Sequence, residues 1–113
     1  MDAVIHLTSD AEADRRHALR CATVLRDNDA LDLADVALLL HRDGVRLATP
    51  ASPEYDWLVE LLGSGVTVTL GTTCLDAREI PHDAVPAGVE LVPSGVSELV
   101  SRQAAGAHYV KIP

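Results

Sequence analysis

The residues with chemistry to offer sit mostly in short segments that follow apolar runs. Cys74 closes Gly71-Thr72-Thr73-Cys74, directly after the run Val66–Leu70. The thiolate is the nucleophilic form of cysteine, and unpaired N–H groups at a helix N-terminus favour it. Arg78 stands one helical turn further on, where it adds positive charge. The same place also suits a small, half-buried hydrophobe in a tight connection, and the residues alone leave both readings open. His41 follows the run Asp35–Leu40. It reads either as a ligand-binding imidazole or as a cap on a strand end. Thr8, Ser9, Thr72, Thr73 and Ser94, with Gly71 among them, would form a rim of hydroxyls and small residues. Such a rim suits a small anion or a nucleotide.

Other reactive side chains read as structural. Cys21 falls with Ala18, Ala22 and Leu25 at i, i+3, i+4 and i+7 spacing, on the apolar face of a helix. His6 lies inside the first apolar run and reads as a satisfied interior or interface histidine. His17 reads as solvated. No His or Cys cluster has metal-ligand spacing, so no metal and no organic cofactor is expected. G-x-G-x-x-G, Walker A, G-x-S-x-G and C-x-x-C motifs are all absent. A phosphatase loop would need arginine six residues after Cys74, and that residue is Ile80.

These segments need a scaffold that gathers them, and the order of runs supplies one. Ala3–Leu7 predicts a strand, and Thr8-Ser9-Asp10 leads into a helix over roughly residues 11–27. Asp35–His41 is continuously apolar, the mark of a strand covered on both faces. Val45–Ala48 predicts a short helical turn. Ser52-Pro53 predicts a helix start, with serine as the cap and proline in the first turn. Leu58, Leu61 and Leu62 carry that helix to Gly63-Ser64-Gly65. Val66–Leu70 is a third strand, and a short helix or irregular segment runs from it to Ile80. Val89–Val92 is a fourth strand, followed by a helix over about Val96–Ala105. His108–Ile112 alternates like an edge strand. Alternating strands and helices with short links imply a doubly wound, flavodoxin-like α/β fold with five mainly parallel strands. In such sheets ligands bind at the carboxyl ends of the strands.

Composition sets the bounds. A chain of 113 residues makes one domain, over residues 1–113. It has no Phe, one Trp and two Tyr, so aromatic rows that stack bases are excluded. A net charge of −8 repels phosphate backbones and anionic membranes. Neither nucleic acid nor membrane is therefore an expected partner. Two cysteines make no disulfide framework and fit a reducing cytoplasm. The run Ala3–Leu7 is too short for a leader's apolar region, and no window reaches the length of a membrane helix. Trp57 and Tyr55 lie close together, either at an interface or as a lid on the core. The apolar ending Tyr109–Pro113 is an edge that a neighbour would cover, which favours a homo-oligomer.

Five stretches, in order, resemble the DsrE/DsrF-like family, which includes the TusD-type sulfur-relay subunits. They are Val4–Ser9, Leu39–Val45, Leu61–Val66, Val89–Leu99 and Gln103–Lys111. The resemblance implies a flavodoxin-like fold and assembly into trimers or hexamers. It also implies a cysteine that carries persulfide sulfur between a donor and an acceptor protein without a cofactor. The family's carrier slot, directly after the third strand, falls on Gly71 here, and Cys74 lies just beyond it. Cys74, with Arg78 beside it, is the thiol through which such transfer would run. The alternative is an oligomeric module that binds a small anion or nucleotide without catalysis, or a subunit that serves assembly alone.

Overall fold

Leu38, Leu39 and Leu40 are consecutive and all fully buried. A strand can bury successive residues only when layers cover both its faces, and β2 (Asp35–Leu40) has that environment. The computed structural model describes residues 1–113. Its strands β1 (Asp2–Leu7), β2, β3 (Thr67–Gly71), β4 (Glu90–Val92) and β5 (His108–Ile112) form one sheet in the order β4-β3-β2-β1-β5. Every pairing is parallel, with Ile5 opposite Leu38, Leu40 opposite Leu70, Gly71 opposite Val92 and His6 opposite Lys111. The flavodoxin-like expectation holds, and the sheet is wholly parallel.

The helices follow from the strand order. Steps from β1 through β4 all move one way across the sheet, and right-handed crossovers put their helices on one face. These are α1 (Glu12–Arg26), α2 (Tyr55–Gly63) and α3 (Thr72–Ala77), with a 3₁₀ segment over Arg42–Ala48. The step from β4 to β5 runs back across the whole sheet, so α4 (Gly95–Ala104) lies on the other face. Two cores result. Ile5, Leu7, Leu38, Leu40, Val68 and Leu70 pack against Ala18, Leu19, Leu58, Leu61 and Leu75 on the first face. Val4, Ala37 and Leu39 pack against Leu99 on the second. Each fully buried leucine contributes about 1.5–3 kcal/mol.

Two local expectations are corrected. Ser52 does not cap α2. Its carbonyl accepts the Tyr55 N–H in a turn, its Oγ has no partner, and Glu54 holds the cap position. The displacement has a tertiary cause: the Glu54 carboxylate is buried and paired with Arg15 Nε at 2.9 Å, which fixes that residue where the helix begins. His41 does not cap the end of β2 through its ring, because its Nδ1 meets another histidine instead. Trp57 serves as a lid on the core. Its Nε1 donates to Thr23 and the Arg16 guanidinium lies over its ring.

Candidate functional site

The chain leaves β2 by a sharp turn over the end of β1. The His41 N–H donates to Leu7 C=O at 2.9 Å, and the Gly44 N–H returns to His41 C=O at 3.0 Å. Between them Arg42 adopts φ of 54°, a left-handed conformation that costs a side-chain-bearing residue about 1–2 kcal/mol. Gly44 must be glycine, since a Cβ there would stand 2.2 Å from the Leu7 carbonyl oxygen. The turn aims the Arg42 N–H at Sγ of Cys74, 3.2 Å away.

Cys74 belongs to α3, which starts immediately after β3. The residue is half-buried and rests against the edge of the larger core. Arg78 does not reach the sulfur. Its Nε pairs with Asp43 at 2.8 Å and its Nη1 donates to the Cys74 carbonyl at 3.1 Å. It therefore ties α3 to the turn after β2 and holds the Asp43 carboxyl below the usual carboxylate range, chiefly through that hydrogen bond.

The loops after β3 and β4 leave toward opposite faces, where a crevice is expected. Here that place is filled. A Cβ on Gly71 would meet the Gly95 nitrogen at 2.8 Å, and the Thr73 hydroxyl donates to Pro93 C=O. Ser94 Oγ accepts the Ser97 N–H and caps α4. Ser9 Oγ accepts the Ala11 N–H at the start of α1. Gly71, Thr73, Ser94 and Ser9 are thus engaged in building the strand ends, and Thr72 is half-buried beside them.

The open space lies beside β1 instead. A hollow of about 530 Å³ is lined by His6, Thr8, His41, Arg42, Asp43, Tyr109 and Lys111. Of the residues expected to bind ligand, Thr8 and His41 are there. Sequence reasoning does not bring His6, Tyr109 and Lys111 to the site. His6 Nδ1 lies 2.8 Å from the Tyr109 hydroxyl, and its Nε2 lies 3.2 Å from His41 Nδ1. The two imidazoles stack with centroids 5.3 Å apart. Burial holds His6 below the ordinary imidazole pKa, helped by His41 and Lys111. Burial does the same to His41, helped by Arg42 and Arg78. The signal that could find them is alternation: Val4 and His6 share one face of β1, and Tyr109 and Lys111 share the same face of β5.

Residues 2–112 match the DsrE/DsrF-like family. The chain belongs to that family. This DsrE-like chain is also similar to solved structures over nearly all of its length. One is the protein of unknown function MTH1491 from Methanobacterium thermoautotrophicum, with 25% identity, a TM-score of 0.89 and 97% of each chain covered. Another is the ychN protein of E. coli, with 22% identity, a TM-score of 0.78, and 99% of this chain and 100% of that one covered. A third is the conserved protein of unknown function BT1422 from Bacteroides thetaiotaomicron, with 16% identity, a TM-score of 0.81, and 98% and 94% covered. The last two bear on the fold alone. No curated protein matches the chain. No helix of the DsrE-like domain is long and apolar enough to cross a membrane.

Proposed function

We propose that this DsrE-like chain is a sulfur-relay subunit that carries persulfide sulfur on Cys74. The observation that supports the reading is the Arg42 N–H aimed at Sγ from 3.2 Å. A donor so placed can hold an anionic sulfur in position, and the turn that presents it is strained at Arg42. The other cysteine, Cys21, sits on α1, where burial pushes its thiol pKa up. It is the poorer nucleophile.

The chemistry needs no cofactor. The Cys74 thiolate attacks the outer sulfur of a donor persulfide. A new S–S bond forms to Cys74, the donor's S–S bond breaks, and the donor leaves as a thiolate that takes a proton from water. An acceptor thiolate then attacks the outer sulfur on Cys74 in the same way. No net oxidation occurs. The partners are a sulfur-donor or acceptor protein and further copies of this chain in a trimer or hexamer. An exposed apolar side chain on an edge strand, Leu91 on β4, is consistent with such assembly.

The test is intact mass after incubation with a small-molecule persulfide donor. One added sulfur atom is expected on the wild type and on Cys21→Ser, and none on Cys74→Ser. An equal adduct on Cys74→Ser would sink the proposal.

A further inference from the structure

We propose that the hollow beside β1 is a binding site for a compact oxyanion, held by Arg42 and Lys111 and hydrogen-bonded by the Tyr109–His6–His41 array. This goes beyond sulfur transfer and does not depend on Cys74.

The first observation is charge. The chain's ion pairs use Arg15, Arg26, Arg78, Arg102 and His82. Arg42 and the sole lysine, Lys111, have no carboxylate partner, yet both line this hollow. The one acid there, Asp43, is taken by Arg78. In a protein of net charge −8, the hollow is therefore a local excess of positive charge. Such a place attracts anions that the rest of the surface repels.

The second observation is the array itself, which has two neutral hydrogen-bonding states. In one, Tyr109 O–H donates to His6 Nδ1 and His6 Nε2–H donates to His41 Nδ1, leaving an N–H at His41 Nε2. In the other, every bond reverses, His41 Nε2 is a bare acceptor, and Tyr109 has a free O–H. An oxyanion accepts from whichever end carries the donor, so the array supplies a hydrogen bond in either state. Besides burial, cations disfavour protonation of the imidazoles: Lys111 on β5 acts on His6, and Arg42 in the turn after β2 and Arg78 at the end of α3 act on His41, while the one acid in the hollow, Asp43, is paired with Arg78. A bound anion offsets these and favours an imidazolium. Binding then takes up a proton near neutral pH and weakens as pH rises.

The experiment is calorimetric titration with sulfate, a dianion throughout the range, at pH 6 and pH 8 and constant ionic strength. Saturable binding is expected at pH 6, weakened about fivefold or more at pH 8. Lys111→Gln should lose about fivefold, whereas Arg20→Gln, an exposed arginine on α1, should bind like the wild type. Cys74→Ser should also bind normally. The double variant His6→Gln/His41→Gln should abolish the pH dependence, and Lys111→Gln keeps the test decisive if that variant fails to fold. Absence of saturable binding at pH 6, equal losses in Lys111→Gln and Arg20→Gln, or equal affinity at the two pH values would overturn the proposal. Adenosine monophosphate distinguishes the source. Tighter binding than sulfate marks the oxyanion as part of a nucleotide, and equal or weaker binding marks it as a free ion.

Discussion

The backbone N–H of Arg42 and Sγ of Cys74 stand 3.2 Å apart, and the left-handed φ of 54° at Arg42 makes that approach possible. The thiol is thus tied to the turn after β2 through backbone, which a change of side chain leaves in place.

The left-handed conformation predicts an order of stabilities. Glycine adopts such φ values freely, while alanine bears the strain that arginine does. Arg42→Gly should be more stable than Arg42→Ala by about 1 kcal/mol in urea denaturation. Equal midpoints would show that the residue is not held at positive φ.

Gly71 occupies the slot where the family resemblance places a carrier cysteine, and the structure leaves no room there for a side chain. A Cβ would lie 2.8 Å from the Gly95 backbone nitrogen, and both residues are in fixed elements. Gly71→Ala should therefore cost about 1–3 kcal/mol. Gly63, in α2, is the control, because an added methyl there meets nothing within 4 Å. Gly63→Ala should gain about 0.5–1 kcal/mol through helix propensity. A Gly71→Ala variant as stable as Gly63→Ala would contradict the close packing of β3 against the start of α4.

Much of this architecture is legible in the sequence because the strands are short, apolar and separated by clear turns. Asp35–Leu40 reads as central because nothing polar interrupts Val36–Leu40. The start of α2 does not read correctly, because Ser52-Pro53 carries a local cap signal. The buried Arg15–Glu54 pair, made across separate elements, decides where the helix begins. The site is half legible. Thr8 and His41 follow strands and are found that way, but His6 and Lys111 are not. They become neighbours only because β5 returns past the whole sheet to pair with β1, and alternation within a strand does not reveal its neighbour.

The two lowered histidines set a direction for stability against pH. Their folded pKa values lie below the ordinary value of about 6.5, so between the two the unfolded chain binds more protons. Stability contributed by the neutral pair is complete above about pH 6.5 and is lost as pH falls through that value toward the folded ones. Thermal melts at fixed salt should show a fall in Tm as pH drops from 7.5 to 5.5. The double variant His6→Gln/His41→Gln should flatten that slope, and an unchanged slope would place its origin elsewhere.

Arg102 gathers three carboxylates on the α4 face of the sheet. It lies 3.3 Å from Asp35, 3.2 Å from Glu90 and 3.1 Å from Glu98, and also donates to Thr69. Its side chain is only 18% exposed, so water screens these contacts incompletely. Arg102→Met keeps much of the packing and removes the shared cation, leaving three acids to repel one another. A loss of about 1–3 kcal/mol is expected. Added salt should restore part of it, because screening weakens the remaining repulsion. No effect of salt on the difference between variant and wild type would mean that packing, and not charge, carries the role of Arg102.

The two thiols should separate under alkylation. Cys21 is half-buried on α1 against the larger core, and desolvation raises its pKa, so little of it is thiolate at neutral pH. Cys74 stands at the strand ends with an N–H on its sulfur and a flank open to solvent. Iodoacetamide at pH 7.5 should therefore modify Cys74 first, with Cys21 following only as pH rises or the chain opens. Peptide mapping of the singly alkylated species checks this. Prior labelling of Cys21 would remove the chemical asymmetry on which persulfide transfer through Cys74 rests, while leaving the oxyanion hollow beside His6 and Lys111 untouched.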